Sequence, residues 1–412
     1  MKALIIPVVL AVSGCATKTV EPEIDFRASA PAPLERSEFT LPTAEEATLS
    51  NGLEVRYVQD ASVPMTRVTV AFRLGSFTDP EGKTGLVRAT FDMLNEGVEG
   101  FDALEISSEM KRLGASLSSS AGLDGGYVSV NSLTRSLDES LTFLSKALTA
   151  PTFDGDDFER IRKTYQQNLQ KTKTTPSELS RRVLQHAFYG GEYAGAMTTE
   201  DSISALSVED MRSWWSANAL VDNAMVVATG DLSLAELLPK LETTLSKLGR
   251  GEAVSSPEPK VADWDETHIL FVHKAGAAQS VLRMGIDTKV AYGEEDYWAL
   301  RVANAAFGGM FMARLNMNLR EDKGYTYGAR SWTARNYGSD RWEVSTSVRT
   351  DATAASLFEI FKEIKDVAGD APSRPLSADE IQYAQSSSVN GYPAQFETPN
   401  TLLQQLSEIW RY

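Results

Sequence analysis

The chain has 412 residues, of which 42% are hydrophobic, and a net charge of −16. This length suffices for two or more domains of ordinary size, and the hydrophobic content is typical of packed globular proteins. The acidic balance argues against nucleic-acid binding, which requires basic surfaces. An acidic surface could favour basic peptide partners, but solubility is its simpler interpretation.

The amino terminus has the layout of a secretory signal. Lys2 precedes a short apolar run from Ala3 to Val12, and the small residues Ser13 and Gly14 then lead to Cys15. The run is too short to span a bilayer, which takes about 20 apolar residues. We therefore expect cleavage of this segment rather than a transmembrane anchor.

Residues 12–15 resemble the bacterial lipobox. The resemblance implies that residues 1–14 are removed and that Cys15 carries diacylglycerol, with the acyl chains holding the body at a membrane. The alternative is an ordinary cleaved signal with an incidental thiol. Cys15 is the single cysteine, so no intramolecular disulfide is expected. Ala16 in place of an aspartate favours, by the same resemblance, the outer membrane of a Gram-negative bacterium, facing the periplasm.

Two linker-like stretches divide the remaining chain. Residues 15–42 are rich in Pro, Ala, Glu and Ser and read as a flexible tether. Residues 249–262 contain further Gly, Ser and Pro and read as a linker. We therefore predict an N-terminal domain over residues 43–248 and a C-terminal domain over residues 263–412.

The two predicted domains repeat one order of elements: strand, strand, helix, helix, strand, strand, helix. In the first, strands are predicted at Glu54–Val58, Arg67–Arg73, Ala115–Ser120 and Tyr127–Leu133, and helices at Gly85–Leu94, Ala103–Leu113, Leu137–Leu148 and Asp156–Lys173. In the second, strands are predicted at His268–Val272, Ser280–Gly285, Tyr325–Thr333 and Glu343–Val348. Helices are predicted at Glu295–Phe307, after the glycines Gly308 and Gly309 up to Arg320, and at Ala352–Val367. This order predicts an α+β fold, in which each mostly antiparallel sheet has helices packed on one face.

The first repeat closes with a helix at Val208–Ala217 and a buried strand at Ala224–Gly230. The second shows no such closing strand and is roughly 30 to 40 residues shorter. Either the chain is truncated or another subunit supplies that edge.

The segment from Gly75 to Leu86 resembles the lead-in to the metal-binding helix of the pitrilysin and insulinase peptidases, the inverzincins. In that family a His-x-x-Glu-His helix follows, with two zinc ligands and a glutamate that activates water. The matching positions here hold Arg88, Phe91 and Asp92. A guanidinium repels zinc and a phenyl ring cannot take a proton, so the site is degenerate. Arg88 and Asp92, four residues apart, could instead pair with each other.

No other metal or nucleophile pattern replaces the lost one. The resemblance places the third ligand within residues 166–168, Gln-Gln-Asn, where no carboxylate occurs. His186, His268 and His273 are interpreted as structural or surface residues, and Trp214 with Trp215 as core. No nucleophile elbow or phosphate-binding loop is apparent, so hydrolysis by this chain alone is not expected.

The segments 307–315 and 319–327 match the family's carboxy-terminal signature closely. The resemblance implies that Arg320 and Tyr327 face the zinc across a cavity and hold the peptide backbone or the developing oxyanion. It also implies that Gly308 and Gly309 allow close approach of substrate or a neighbour. The alternatives are that Arg320 caps its helix, that Tyr327 is a half-buried strand residue, and that the glycines merely separate two helices.

The losses are concentrated at the metal helix, whereas the Arg320 and Tyr327 signature is retained. Some members of the family act as pairs in which one subunit binds zinc. The resemblance therefore favours a non-zinc subunit that supplies Arg320 and Tyr327 in trans to a zinc-bearing partner, with unfolded or short peptides as substrates. The alternatives are an inactive scaffold or peptide-binding lipoprotein, and a hydrolase of unrecognised chemistry.

Overall fold

The computed structural model describes residues 38–335, 337, 341–369 and 373–412. The predicted signal, Cys15 and most of the predicted tether lie outside these residues. Its strands are β1 Glu45–Thr48, β2 Glu54–Gln59, β3 Met65–Phe72, β4 Gly97–Val98, β5 Phe101–Asp102, β6 Ser116–Ala121, β7 Gly126–Leu133, β8 Ala224–Gly230, β9 Gln279–Asp287, β10 Thr326–Ala334 and β11 Arg341–Arg349. Its helices are α1 Leu86–Met93, α2 Ala103–Leu113, α3 Leu137–Thr149, α4 Gly155–Thr174, α5 Pro176–Tyr189, α6 Glu200–Ser204, α7 Val208–Asn218, α8 Leu234–Leu245, α9 Tyr297–Asn304, α10 Arg314–Asn316, α11 Thr353–Ala368, α12 Ala378–Gly391 and α13 Pro399–Arg411.

The first repeat forms a six-stranded sheet in the order β1-β2-β8-β3-β7-β6. The pairing of β2 with β8 is parallel, whereas β3 runs antiparallel to both β8 and β7. Strand β8 is buried along its whole length because it lies inside the sheet. Apolar residues from α1, α3, α7 and α8 pack with one face of the sheet in the largest core of the protein.

The second repeat forms a three-stranded sheet in the order β10-β11-β9, with α11 on one face. One helix of each repeat packs against the sheet of the other repeat, α13 against the first sheet and α5 against the second. Leu403 of α13 packs with Met225 and Val227 of β8, on the face away from the main core. In the reverse direction, Phe188 of α5 lies against Gly285 of β9, where a Cβ atom would come within 2.8 Å of its ring. The predicted α+β class is confirmed.

The strand predicted at His268–Val272 is wrong. These residues form no strand, and Phe271 is 82% exposed. Their counterpart in the first repeat, β2, pairs with β1 and β8 and not with β3. In the first sheet, β8 lies between β2 and β3. Within the described ranges, no strand occupies the equivalent position beside β9. Residues 268–272 therefore have no neighbouring strand for their backbone hydrogen bonds. A cavity of about 1440 Å³ lies between this segment and β9.

The helices of the second repeat depart from the predicted bounds around its glycines. The predicted helix Glu295–Phe307 is α9 followed by a π-helical turn at Ala305–Gly309. The predicted helix ending at Arg320 is α10 followed by a second π-helical turn at Met317–Asp322. Such turns are uncommon and concentrate at functional sites. None of the helices in the described part of the chain is both long and apolar enough to cross a bilayer.

Candidate functional site

The motif before α1 fixes the start of that helix. Asp79 Oδ2 accepts a hydrogen bond from the Gly85 backbone N–H, and Oδ1 accepts one from Val87, both at 2.8 Å. Gly85 has a φ of +104°, which a side chain would disfavour. Burial raises the pKa of Asp79 to about 6, although these backbone donors favour the ionised form. The lead-in therefore retains a structural role in the absence of a metal site.

The side chains at the three altered positions on α1 lie in different environments. Arg88 is largely exposed, and its Nε lies 3.8 Å from Asp92 Oδ2. The Tyr165 hydroxyl of α4 donates to the same Asp92 oxygen at 2.5 Å, and the Arg88 guanidinium lies 5.7 Å from the Tyr165 ring centroid. Burial, followed by the nearby Asp92 carboxylate, raises the pKa of Tyr165. Arg88 and Asp92 thus occupy the two positions where the resemblance implies histidines, and Tyr165 of α4 donates a hydrogen bond to this pair.

Phe91 belongs to the core and not to this polar group. Its side chain is fully buried, with ring centroids 5.3 Å from Trp215 and 5.9 Å from Phe72. Trp214 and Trp215 are both buried, in agreement with their interpretation as core residues. The ring of Phe91 also lies over Gly126, where a Cβ atom would come within 2.5 Å of it. The general-base position has therefore become part of the aromatic core.

The donors around α1 do not suit a zinc ion. Gln166, Gln167 and Asn168 are exposed, and it is Tyr165 that α4 directs towards Asp92. Among the described residues, no three His, Cys, Asp or Glu side chains lie close enough to hold a metal ion. A single carboxylate, already paired with an arginine, leaves the coordination of zinc far from complete.

The three histidines contact residues other than those of the degenerate site. His186 is in the last turn of α5, and its Nδ1 lies 3.1 Å from the Gly195 carbonyl oxygen. His268 packs against Trp264, and His273 packs against Phe271. These contacts fit structural and surface roles.

Arg320 and Tyr327 are brought together in the second repeat. The Arg320 guanidinium carbon lies 5.3 Å from the Tyr327 ring centroid. Arg320 lies on the π-helical turn 317–322. Gly324 ends this turn with a φ of +62°, and its N–H donates to the Arg320 carbonyl oxygen at 3.1 Å. The guanidinium also lies 3.3 Å from a Glu321 carboxylate oxygen. The arginine side chain therefore extends towards the tyrosine.

Tyr327 occupies a β-bulge. Between the pairs Thr326 with Val348 and Ala329 with Thr346, β10 advances three residues and β11 only two. Bulges redirect side chains and are common beside active sites. The Tyr327 side chain is 89% exposed, so it is not the half-buried strand residue of the alternative interpretation. Its hydroxyl is open to a peptide or a partner.

The two predicted glycines have different environments. Gly308 is buried against β10, where a Cβ atom would lie 2.5 Å from Ser331 Oγ and 3.0 Å from its backbone nitrogen. Gly308 thus permits close approach of a neighbouring strand of the same chain. Gly309 is exposed at the end of the π-helical turn, on the segment that leads to exposed Phe311 and Met312.

An ionic network between residues 314–318 and helices α11 and α12 was not expected from the sequence. The Arg314 side chain donates to both Glu380 carboxylate oxygens, at 2.9 and 2.6 Å, and to the Pro375 carbonyl oxygen at 3.0 Å. Glu363, also buried, accepts hydrogen bonds from Asn318 at 2.6 Å and from Arg374 at 2.8 Å. The network ties the segment carrying Arg320 to α11 and α12.

We expect the Arg314–Glu380 pair to make stability pH-dependent. Burial alone would raise the pKa of Glu380, but hydrogen bonds from Arg314 and Ser377 outweigh it and lower the pKa from 4.5 to about 2. Since the folded-state pKa is depressed, this stabilisation is present above about pH 4.5 and is lost as the pH falls towards 2. Solvent screens the carboxylate, which is 32% exposed, so we expect a contribution of about 1–2 kcal/mol.

Urea unfolding of wild type and Glu380→Gln at pH 6.5 and pH 3.5 measures this effect. The variant should be less stable at pH 6.5, and the difference should shrink at pH 3.5. Asp379→Asn, an exposed carboxyl on the same helical turn, is the matched control. An equal difference between wild type and Glu380→Gln at both pH values would contradict the expectation.

Two family models together cover most of the chain. Residues 54–201 match the insulinase (peptidase family M16) model, and residues 205–387 match the peptidase M16 inactive domain model. The chain belongs to the insulinase peptidase family. It is an inactive-type member, since its metal helix holds Arg88, Phe91 and Asp92.

Relatives at low identity agree with this assignment. A non-peptidase homologue of Helicobacter pylori is 22% identical over 66% of the chain, a match that spans only 63% of that relative's length. An uncharacterised zinc protease of Streptomyces coelicolor is 22% identical over 90% of the chain and 81% of its own length. The crystal structure of a peptidase M16 inactive domain from Pseudomonas fluorescens matches with a TM-score of 0.80 and 22% identity, covering 90% of this chain and 88% of that one. This chain and the Pseudomonas fluorescens protein thus share one fold over most of their lengths.

Proposed function

We propose that this chain is the non-zinc subunit of a two-subunit zinc metallopeptidase in the periplasm. In this proposal Arg320 and Tyr327 act in trans at a zinc site carried by a homologous partner. Cys15 carries the lipid that anchors the assembly to the outer membrane. The substrates are unfolded or short peptides, which bind in extended form by adding a strand to a sheet edge.

The contrast between the two motifs carries the proposal. At the metal-helix positions, Arg88 pairs with Asp92, Asp92 accepts a hydrogen bond from Tyr165, and Phe91 is buried in the core. In contrast, Arg320 and Tyr327 meet through two irregular backbone elements and remain accessible. A pair with only a structural role would not need a tyrosine that is 89% exposed.

The chemistry of the pair suits stabilisation of a peptide oxyanion. A guanidinium presents several N–H donors and stays charged, and a phenol adds one O–H donor. Neither group has to change its protonation state to donate to a carbonyl oxygen as that oxygen gains negative charge. The zinc and the water-activating base would come from the partner, because α1 supplies neither.

Purification of the full lipoprotein from its own membranes in mild detergent tests the proposal. We expect a homologous subunit with an intact His-x-x-Glu-His helix to co-purify, with one zinc ion per pair and chelator-sensitive cleavage of an unstructured peptide. An intact assembly with neither zinc nor peptidase activity would overturn the proposal.

The second candidate is an inactive scaffold or peptide-binding lipoprotein. The name of the Helicobacter pylori relative, a non-peptidase homologue, favours it. Under this candidate, the chain would co-purify with proteins unrelated to peptidases. Peptides would then be bound without cleavage.

A further inference from the structure

A second aromatic ring contacts Arg320 besides Tyr327. The Arg320 guanidinium carbon lies 4.5 Å from the Phe311 ring centroid, closer than the 5.3 Å to the Tyr327 ring. Both distances are within the range of cation–π interactions. Phe311 is itself 60% exposed, so core packing does not explain its position.

The backbone that carries Phe311 is tied to the strand that carries Tyr327. Asn316 is buried, and its Nδ2 donates to the Phe311 carbonyl oxygen at 2.8 Å. Its Oδ1 accepts a hydrogen bond from the Ala329 backbone N–H of β10 at 3.0 Å. One amide therefore sets the distance between the Phe311 segment and the bulged strand, and Arg320 contacts the rings on both.

An arginine at a surface has many rotamers, and fixing one of them has an entropic cost. One exposed cation–π contact offsets only part of this cost, whereas two rings on rigidly connected segments offset more of it and select one orientation. Catalytic donors are effective when they are held in place before the reaction, because a displacement of about 1 Å lowers the rate strongly.

We propose that Phe311 is a positioning residue that holds the Arg320 guanidinium beside Tyr327. Its contribution to catalysis rests on the proposed function, whereas the contact itself does not. Phe311 acts through Arg320, so its phenyl ring is the required feature and its apolar volume is not.

The test uses three variants. Phe311→Leu keeps an apolar side chain and removes the ring, Phe311→Tyr keeps the ring, and Phe358→Leu removes an exposed phenylalanine from α11 as a matched control. The first readout needs no activity: the Arg320 Nε–Hε resonance in arginine-labelled protein, assigned by its absence in Arg320→Lys. Ring currents should displace it in wild type, Phe311→Tyr and Phe358→Leu, and it should move towards the position of a free arginine in Phe311→Leu.

The second readout is peptide cleavage by the complex with its zinc-bearing partner. We expect kcat to fall about tenfold in Phe311→Leu, with most of it retained in Phe311→Tyr and no change in Phe358→Leu. An unmoved Arg320 resonance in Phe311→Leu would overturn the proposal. So would an unchanged kcat in that variant if Arg320→Ala is inactive. If Arg320→Ala cleaves like wild type, the proposed function fails, and the resonance alone decides whether Phe311 holds Arg320.

Discussion

Replacing Arg320 by alanine is expected to lower kcat of the proposed two-subunit peptidase by about a hundredfold or more, with the complex intact. The reason is that the guanidinium would donate to an oxygen that becomes charged only as the peptide bond is attacked. Loss of such a donor raises the barrier more than it weakens substrate binding. Tyr327→Phe, which removes only the hydroxyl, should give a smaller fall of about tenfold or more.

Steady-state cleavage of an unstructured peptide by the purified complex measures both effects. Arg349→Ala removes an exposed arginine that pairs with Asp351 at the end of β11, and Tyr383→Phe alters an exposed tyrosine of α12. These controls should behave like wild type. A rise in KM with unchanged kcat in Arg320→Ala would instead assign the arginine to substrate binding alone.

Phe91→Ala is expected to destabilise the fold by about 3–5 kcal/mol, because it leaves a cavity among large aromatic rings. The Phe91 side chain is fully buried against Trp215 and Phe72, and it covers the glycine that begins β7. Arg88→Ala, three residues earlier on the same helix, should change stability by less than about 1 kcal/mol, since Arg88 is 64% exposed and paired at 3.8 Å.

Urea denaturation of the two variants beside wild type gives the comparison. A shift of the midpoint in Phe91→Ala and none in Arg88→Ala would support the assignment of one former site position to the core and the other to the surface. Equal midpoints for all three proteins would contradict it. A glutamate at position 91 would place a charge among these rings, so restoring the family motif would cost stability as well.

Local signals explain where the sequence predicted the fold correctly. The predicted bounds of α2 agree with the structure because Asp102 and Glu105 form a capping box at its start and Gly114 takes a left-handed conformation at its end. Strand β8 was recognisable because a strand inside a sheet is apolar on both faces. Such features depend on neighbours a few residues away.

Features that depend on distant residues could not be predicted in the same way. The segment His268–Val272 has the composition of a strand, but a strand also requires a partner. Arg314 stood within the matched signature, yet its role depends on Glu380, which lies 66 positions later. Tyr165 and Phe311 were missed for the same reason, because their contacts with Asp92 and Arg320 follow from the packing of separate elements.

Reconstitution from separately purified subunits determines whether one peptidase site is divided between this chain and a zinc-bearing partner, as proposed. The zinc-bearing partner should cleave the peptide weakly by itself, and activity should rise with added chain and reach a plateau at one copy per partner. Chain carrying Arg320→Ala should bind the partner equally well and give a plateau about a hundredfold lower. Full activity of the partner alone, unchanged by this chain, would show that the site is not shared.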